Sequence, residues 1–253
     1  MSDSLTSLTI DGAVARLALN RPDARNALSI ALLESLLARV AEIDKAATPP
    51  TVLVLTGNGP AFCAGMDLRA VLDDPGAGTT LLALLADLTL RMRTLPMALV
   101  AAVNGAAIGG GCGLACVCDF VLTHGDAKLG FPEVDLGVCP AVVAPWVVRR
   151  LGAGRARQVL LGGGVMTGRE AAGIGLATRS VPTSADLEPA VAELADRLSK
   201  AGPLALRETK RLLNALDGSD DEAVVRRGAE ISASVLATPD AQSRLRQRFA
   251  AKA

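Results

Sequence analysis

The most informative stretch of this 253-residue chain reads V-N-G-A-A-I-G-G-G over residues 103–111. It follows the apolar run A-L-V-A-A-V of residues 98–103, which has the composition of a strand buried on both faces of a parallel sheet. In open α/β folds, ligands bind where such strands end and a helix begins. The pattern therefore predicts an α/β fold with a ligand site at residues 104–111.

A second segment of the same kind reads A-F-C-A-G-M-D-L over residues 61–68, after the apolar run T-V-L-V-L-T of residues 51–56. Helix N-termini at such places present unpaired N–H groups and a partial positive charge. Glycine lacks a Cβ, so a substrate carbonyl can approach these amides closely. Two amides that converge on one oxygen form an oxyanion hole. Close helix–strand packing also uses glycine runs, and the two segments alone leave that alternative open.

The remaining pattern predicts an α/β core followed by helices. A D-G turn separates two strands, Ser29 is positioned to cap a helix, and T-G-R-E at residues 167–170 is a capping box. We expect strands at residues 5–10, 14–19, 51–56, 98–103, 120–123 and 128–131. We expect helices at residues 29–44, 79–94, within the glycine run to about 118, and at 187–200, 204–215, 222–236 and 241–250.

Composition excludes several classes of protein. Lys+Arg and Asp+Glu number 26 each, so the chain lacks the basic excess of a nucleic-acid binder. The apolar runs are too short to span a bilayer, so we expect no membrane partner. The five cysteines form no C-x-x-C pair, and Cys112 and Cys116 lack a second pair for a metal site. We therefore expect no metal and a reducing, cytoplasmic setting. No motif supports a nucleophilic pair of Cys112 with His124, the single histidine.

Several motifs in the same order together resemble the enoyl-CoA hydratase/isomerase (crotonase) family, over almost the whole chain. They are L-x-R-P-x-x-R-N-A-L at 19–28, A-F-C-A-G-x-D-L at 61–68, V-N-G-x-x-x-G-G-G at 103–111, C-D at 118–119, F-P-E-V-x-L-G at 131–137, and T-G-x-E-A-x-x-x-G-L at 167–176. The resemblance implies a crotonase-type β-β-α spiral core with a C-terminal helical region. We expect residues 1–190 to hold the acyl-CoA site and residues 191–253 to serve oligomerisation, in a homotrimer or hexamer. It also implies an acyl-CoA thioester as substrate and no cofactor besides its coenzyme A.

The same resemblance assigns roles to individual residues. It implies an oxyanion hole made of the backbone N–H groups of Met66 and Gly110, with Glu133 as the catalytic acid–base group. It further implies substrate contacts, which we expect from Arg25, Ala64, Asp67, Leu68, Gly109, Gly113 and Lys210. Asp67 could instead cap a helix, and Arg25 could be an exposed residue without a role.

Position 113 departs from the family pattern. Hydratases of the family use two glutamates twenty positions apart, and this chain has Gly113 in place of the first and Glu133 as the second. An apolar stretch after Glu133 predicts a carboxylate with a pKa raised toward neutrality. The resemblance implies hydration of a 2-enoyl-CoA as the first hypothesis. A Δ3-Δ2-enoyl-CoA isomerase with Glu133 as the single proton carrier is the alternative. A catalytically inactive coenzyme A-binding or scaffold protein is the hypothesis from another class.

Overall fold

A computed structural model describes residues 4–250, apart from the side chains of Asp73, Pro75 and Phe249. Ten strands form a six-stranded sheet of order β1-β2-β3-β5-β7-β10 and a four-stranded sheet of order β4-β6-β8-β9. The strands are β1 (Thr6–Asp11), β2 (Val14–Leu19), β3 (Val52–Gly57), β4 (Ala61–Cys63), β5 (Ala98–Val103), β6 (Ala106–Ile108), β7 (Phe120–His124), β8 (Lys128–Gly130), β9 (Val165–Thr167) and β10 (Arg179–Val181). The β1/β2 and β8/β9 pairs are antiparallel and the other pairs are parallel.

Ten α-helices surround and follow the sheets. They are α1 (Ile30–Asp44), α2 (Leu68–Asp73), α3 (Pro75–Thr94), α4 (Gly110–Val117), α5 (Ala144–Gly162), α6 (Gly168–Gly173), α7 (Leu187–Ser199), α8 (Pro203–Asp217), α9 (Glu222–Leu236) and α10 (Pro239–Ala250). Within the described residues, no helix is both long and apolar enough to cross a lipid bilayer.

The chain repeats one pattern three times. A strand of the larger sheet is followed at once by a short strand of the smaller sheet, in the pairs β3–β4, β5–β6 and β7–β8. Helices follow the first two pairs, so the parallel strands are joined by crossover connections. This arrangement places the carboxyl ends of β4 and β6 next to each other.

The central strands β3 and β5 of the larger sheet are buried on both faces, as their apolar sequences predict. Along β3, Leu53 and Leu55 belong to the main core with α1, α3 and α4, whereas Val52 and Val54 face the other side and pack with α7. Alternate residues of a strand point to opposite faces, so a continuous apolar run serves two cores at once. Burial of each such side chain contributes about 1.5–3 kcal/mol.

Most of the predicted elements are confirmed, and the differences have local causes. Helix α3 begins at Pro75 rather than at residue 79, because the Asp74 carboxylate accepts a hydrogen bond from the Gly76 N–H and caps it. The prediction omitted α5, which contains a non-helical Gly152 with φ of +73°. The strands β4, β6, β9 and β10 have three residues each, too few to show an alternating pattern.

Candidate active site

The two glycine segments lie side by side, beyond the ends of two parallel neighbouring strands. The strand β4 ends at Cys63 and β6 at Ile108, and their parallel pairing brings both carboxyl ends to one edge. Gly65 has φ of +92°, and a Cβ there would stand 2.8 Å from the carbonyl oxygen of Ile108. Both the backbone turn and the close approach therefore require glycine at position 65.

The backbone N–H groups of Met66 and Gly110 are available to bind an oxygen atom. Leu28 forms backbone hydrogen bonds with the two neighbours of Met66 and leaves the Met66 N–H free. The Leu28 N–H donates to the Gly65 carbonyl (2.8 Å), and the Leu28 carbonyl accepts from the Asp67 N–H (2.9 Å). Gly110 is the first residue of α4, so no preceding helical turn accepts its N–H. Neither N–H donates to a protein acceptor within residues 4–250. A Cβ on Gly110 would be 3.9 Å from Met66 Cγ, so the two residues are neighbours.

Glu133 stands next to the same amides, at the start of a short 3-10 turn. Its backbone carbonyl accepts hydrogen bonds from the N–H groups of Leu136 (3.0 Å) and Val138 (2.9 Å), which fix the turn. Its carboxylate lies on Gly109, where a Cβ would be 2.6 Å from Glu133 Oε1. The other oxygen, Oε2, is buried and has no hydrogen-bond partner in the described part of the chain. The structure therefore brings together the three residues predicted to catalyse the reaction.

Burial changes the acid–base properties of this carboxyl group. Removal from water raises the pKa of Glu133 from 4.5 to about 7, and a hydrogen bond from its own backbone N–H opposes this rise. A group with a pKa near neutrality exchanges protons efficiently at physiological pH. Glu133 is thus equipped for proton transfer, as the apolar sequence after it predicts.

A cavity of about 100 Å³ opens beside Glu133 and the two amides. Apolar residues of α2, α3, the 132–143 stretch and α9 form most of its wall, with Ser232 and Leu236 contributed by α9. Glu133 is the only charged residue on this wall among the residues that the structure describes. The cavity thus suits an uncharged acyl group next to one proton-transferring carboxylate.

The cavity adjoins a groove of about 1190 Å³ through shared lining residues. The shared residues are Ala64, Met66, Leu68, Ile108, Pro132 and Leu136. Arg25, Arg69, Arg244 and Arg248 line the groove and make it a place where an anionic group could bind. Arg25 and Arg248 have no ion-pair partner within residues 4–250. Three aspartates, Asp23, Asp67 and Asp135, line the groove beside the arginines, so the apolar cavity opens into a surface that carries charges of both signs.

Of the expected substrate contacts, Arg25, Ala64, Asp67 and Leu68 line the groove, and Gly109 lines the cavity. Asp67 precedes α2, but its side chain makes no capping hydrogen bond. Its carboxylate instead pairs with Arg21 at 3.3 Å. Asp67 thus occupies the N-cap position of α2, but its carboxylate is used in the ion pair rather than in a capping hydrogen bond.

The structure does not bring Gly113 to the cavity, because this position is covered, and its role as a substrate contact stays a prediction. A Cβ on Gly113 would stand 2.8 Å from Val143 Cβ, so the Val143 side chain occupies the adjacent space. Gly113 does not line the cavity, whereas Val143 does. The glycine is needed for close packing of α4 against residue 143.

The structure does not bring Lys210 to the cavity or the groove either, because its ammonium group is engaged inside the protein, and its role as a substrate contact stays a prediction. It donates to the carbonyl of Met97 and to the carboxylate of Asp119, both at 2.9 Å. Burial lowers the pKa of Lys210, and the charge of Asp119 opposes this effect. The side chain is 9% exposed and belongs to neither the cavity nor the groove.

Sequence reasoning missed Val143 and the two α9 residues, Ser232 and Leu236. The one signal for the α9 contribution is Gly228, where a Cβ would clash with the Ala141 carbonyl, so α9 approaches this loop at backbone distance. Ser232 fixes the loop by donating to the Cys139 carbonyl (2.8 Å) and accepting from the Val142 N–H (3.1 Å). No cluster of three potential metal ligands occurs within residues 4–250.

Comparison with known proteins gives a consistent result. The family model for enoyl-CoA hydratase/isomerase matches residues 9–252. The chain is 40% identical over 243 residues to a putative enoyl-CoA hydratase of Thermus thermophilus, covering 94% of this chain and 95% of that protein. It is 38% identical over 200 residues to the 2,3-dehydroadipyl-CoA hydratase of Escherichia coli, covering 78% and 76%.

The fold is similar to solved structures. The crystal structure of an enoyl-CoA hydratase from Bacillus anthracis matches with a TM-score of 0.79 and 31% identity. The match covers 98% of this chain and 96% of that chain. This similarity confirms the α/β spiral fold expected from the sequence.

Proposed function

Since the chain belongs to the enoyl-CoA hydratase/isomerase family, we propose that it is an enoyl-CoA hydratase that adds water to a 2-enoyl-CoA. The observation that carries this proposal is the position of Glu133. Its carboxylate, with a pKa of about 7, contacts Gly109, next to the free N–H group of Gly110. The relatives named as hydratases support the same reaction.

The proposed reaction begins with the thioester carbonyl bound to the N–H groups of Met66 and Gly110. These donors stabilise the negative charge that develops on the carbonyl oxygen as the thioester becomes an enolate. The Glu133 carboxylate takes a proton from a water molecule, and the resulting hydroxide bonds to C3. Glu133 then returns that proton to C2, which regenerates the carbonyl. One carboxylate thus serves as base and then as acid.

The coenzyme A moiety is proposed to lie in the groove beside the cavity. Arg25 and Arg248 have no acidic partner within residues 4–250 and offer charge-assisted hydrogen bonds to phosphate oxygens. Leu68 and Ala64, which line both cavity and groove, mark the route of the pantetheine arm. The prediction that the reaction needs no other cofactor stays a prediction, as does a cytoplasmic location.

Double-bond migration from a 3-enoyl-CoA to a 2-enoyl-CoA is the second candidate. The absence of a second carboxylate from the described cavity wall favours it. Migration requires one group that removes a proton from C2 and returns it at C4, and Glu133 suffices for that. Hydration places the additional demand of an ordered water at C3.

Two spectrophotometric assays test the proposal. Hydration removes the conjugated enoyl-thioester absorbance of crotonyl-CoA, and isomerisation creates this absorbance from a 3-enoyl-CoA. We expect hydration by the unmodified protein and its loss in Glu133→Gln. Efficient isomerisation without hydration would reverse the order of the two candidates. Saturable coenzyme A binding without either reaction would instead indicate the scaffold function.

The C-terminal helices from residue 191 are proposed to join copies of the chain into a homotrimer or hexamer. Helix α8 supports this, because its polar Lys210 and Asn214 are buried while four of its five leucines are exposed. The exposed fractions are 62% for Leu204, 60% for Leu212, 53% for Leu213 and 74% for Leu216. An exposed apolar helix face of this kind is typical of a protein interface.

Light scattering coupled to size-exclusion chromatography tests the assembly. We expect a mass of three or six chains for the unmodified protein and a smaller mass for the double variant Leu212→Glu and Leu216→Glu. Lys45→Glu, at an exposed position after α1 and outside the C-terminal helices, is the control and should leave the mass unchanged. A monomeric unmodified protein would contradict the proposed assembly.

A further inference from the structure

Glu133 and Val143 each pack on a glycine at the N-terminal end of α4. Gly109 is the non-helical residue that precedes α4, and Gly113 lies one turn further on, where its N–H donates to the Gly109 carbonyl at 2.9 Å. The Glu133 carboxylate contacts Gly109, and the Val143 side chain covers Gly113 with its Cβ 2.8 Å from where a Cβ would stand. Both side chains also line the cavity. Val143 thus fills the space one helical turn from the catalytic carboxylate.

The cavity wall around Val143 offers few polar partners to a water molecule. Val138 and Val142 are apolar, and the Ser232 hydroxyl is already engaged with the Cys139 carbonyl and the Val142 N–H. An ordered buried water needs two to four polar partners. Among the described side chains of this wall, Glu133 supplies the only carboxylate.

We infer that Val143 sets the ratio of hydration to double-bond migration, by limiting the space and the polar contacts for a water beside Glu133. The inference rests on the proposed function. Hydration consumes one water, whose hydroxyl bonds to C3 and whose proton reaches C2 through Glu133. Migration moves one proton from C2 to C4 and needs no water. Only hydration is therefore sensitive to residue 143.

Two substitutions test this inference in complementary ways. Val143→Ala enlarges the space beside Glu133, and Val143→Thr keeps the volume while adding a hydroxyl group. Val147→Ala and Val147→Thr are matched controls, since Val147 is also buried but does not line the cavity. The measured quantity is the ratio of kcat/KM for hydration of crotonyl-CoA to kcat/KM for isomerisation of a 3-enoyl-CoA.

We expect this ratio to rise roughly threefold to tenfold in the Val143 variants, the effect of about one hydrogen bond. The Val147 controls should stay within about twofold of the unmodified protein. Thermal melting verifies folding, and if one Val143 variant fails to fold, the other decides. An unchanged ratio, or an equal change in the Val147 controls, would overturn the inference. Absence of both reactions in the unmodified protein would overturn the proposed function, and the inference with it.

The double variant Gly113→Glu with Val143→Ala provides an independent arm. In the single variant Gly113→Glu, the new side chain clashes with Val143, so we expect this variant to lose stability and activity. Shortening Val143 should recover the fold and raise the hydration ratio above that of Val143→Ala, because a second carboxylate can then hold the water. A double variant that folds but does not raise the ratio of hydration to isomerisation counts against Val143 as the residue that sets this ratio.

Discussion

The carboxylate of Glu133 rests on the Cα of Gly109, at a place that a side chain at position 109 would otherwise occupy. An added Cβ would stand 2.6 Å from Oε1 and 3.3 Å from Cδ of Glu133. Gly109 also has φ of +54°, in the left-handed region that side chains disfavour. One glycine therefore shapes the backbone before the Gly110 amide and leaves room for the acid–base group.

Gly109→Ala should displace the Glu133 carboxylate and reduce activity about 100-fold or more. It should also lower the free energy of unfolding by roughly 1–3 kcal/mol, because of the strained φ. Enzyme assays and denaturant unfolding measure the two effects. Gly154→Ala is the control, since an added Cβ there meets nothing within 4 Å. Full activity in folded Gly109→Ala would contradict the conclusion that the Glu133 carboxylate needs the space beside Gly109.

Glu133→Gln should abolish the main reaction, with a loss of roughly 10²- to 10⁴-fold in kcat. Gln preserves the shape of the side chain but cannot accept and return a proton. Coenzyme A binding should persist, because the arginines lie in the adjoining groove. Glu34→Gln, exposed and outside the cavity and the groove, is the charge-matched control. Substantial turnover in folded Glu133→Gln would remove Glu133 from the mechanism.

The pKa of Glu133 predicts a pH-dependent stability. The folded-state pKa is about 7 and the ordinary value is 4.5, so the folded state binds this proton more tightly. The stability contribution is fully present below pH 4.5, decreases as pH rises, and is lost above about pH 7. Glu133→Gln removes this dependence, so its advantage over the unmodified protein should be roughly 2–3 kcal/mol larger at pH 8 than at pH 5. Denaturant unfolding at both pH values measures it, and a constant difference would contradict the raised pKa.

Gly110→Val should block the proposed oxyanion hole. A Cβ at position 110 already meets Leu28 Cδ1 and Leu85 Cδ2 at 3.2 Å, and the two extra methyl groups crowd the cavity. Loss of one oxyanion donor costs roughly 10²- to 10³-fold in kcat. Gly110→Ala is the smaller substitution and should lose less activity, because the terminal methyl groups of Leu28 and Leu85 can move away from one added methyl group. Unchanged turnover in a folded Gly110→Val protein would refute the assignment.

Coenzyme A binding should depend on salt and on the arginines of the groove. Arg25→Ala and Arg248→Ala should each weaken binding roughly threefold to tenfold by calorimetry. Raising the ionic strength should weaken binding to the unmodified protein, because salt screens charge–phosphate attraction. Arg246→Ala is the control, since this residue lies on α10 but does not line the groove. Equal effects of Arg246→Ala and Arg248→Ala would contradict the proposed phosphate contacts.

Local sequence was sufficient for features that depend on backbone conformation and burial. The apolar strands before the two glycine segments predicted a ligand site at one sheet edge, because ligands bind where such strands end, and the family resemblance then indicated the Met66 and Gly110 amides. The apolar run after Glu133 likewise predicted a raised pKa, since desolvation follows from surrounding residue types.

Contacts between distant segments were decided by the tertiary structure alone. Position 113 has the right sequence spacing for a substrate contact, but Val143, thirty residues later, packs over it. Lys210 has the charge of a phosphate ligand, but the fold places Asp119 within 2.9 Å of it. A residue type specifies which interactions a side chain can make. Which partner is present depends on how the helices pack, and no local pattern encodes that packing.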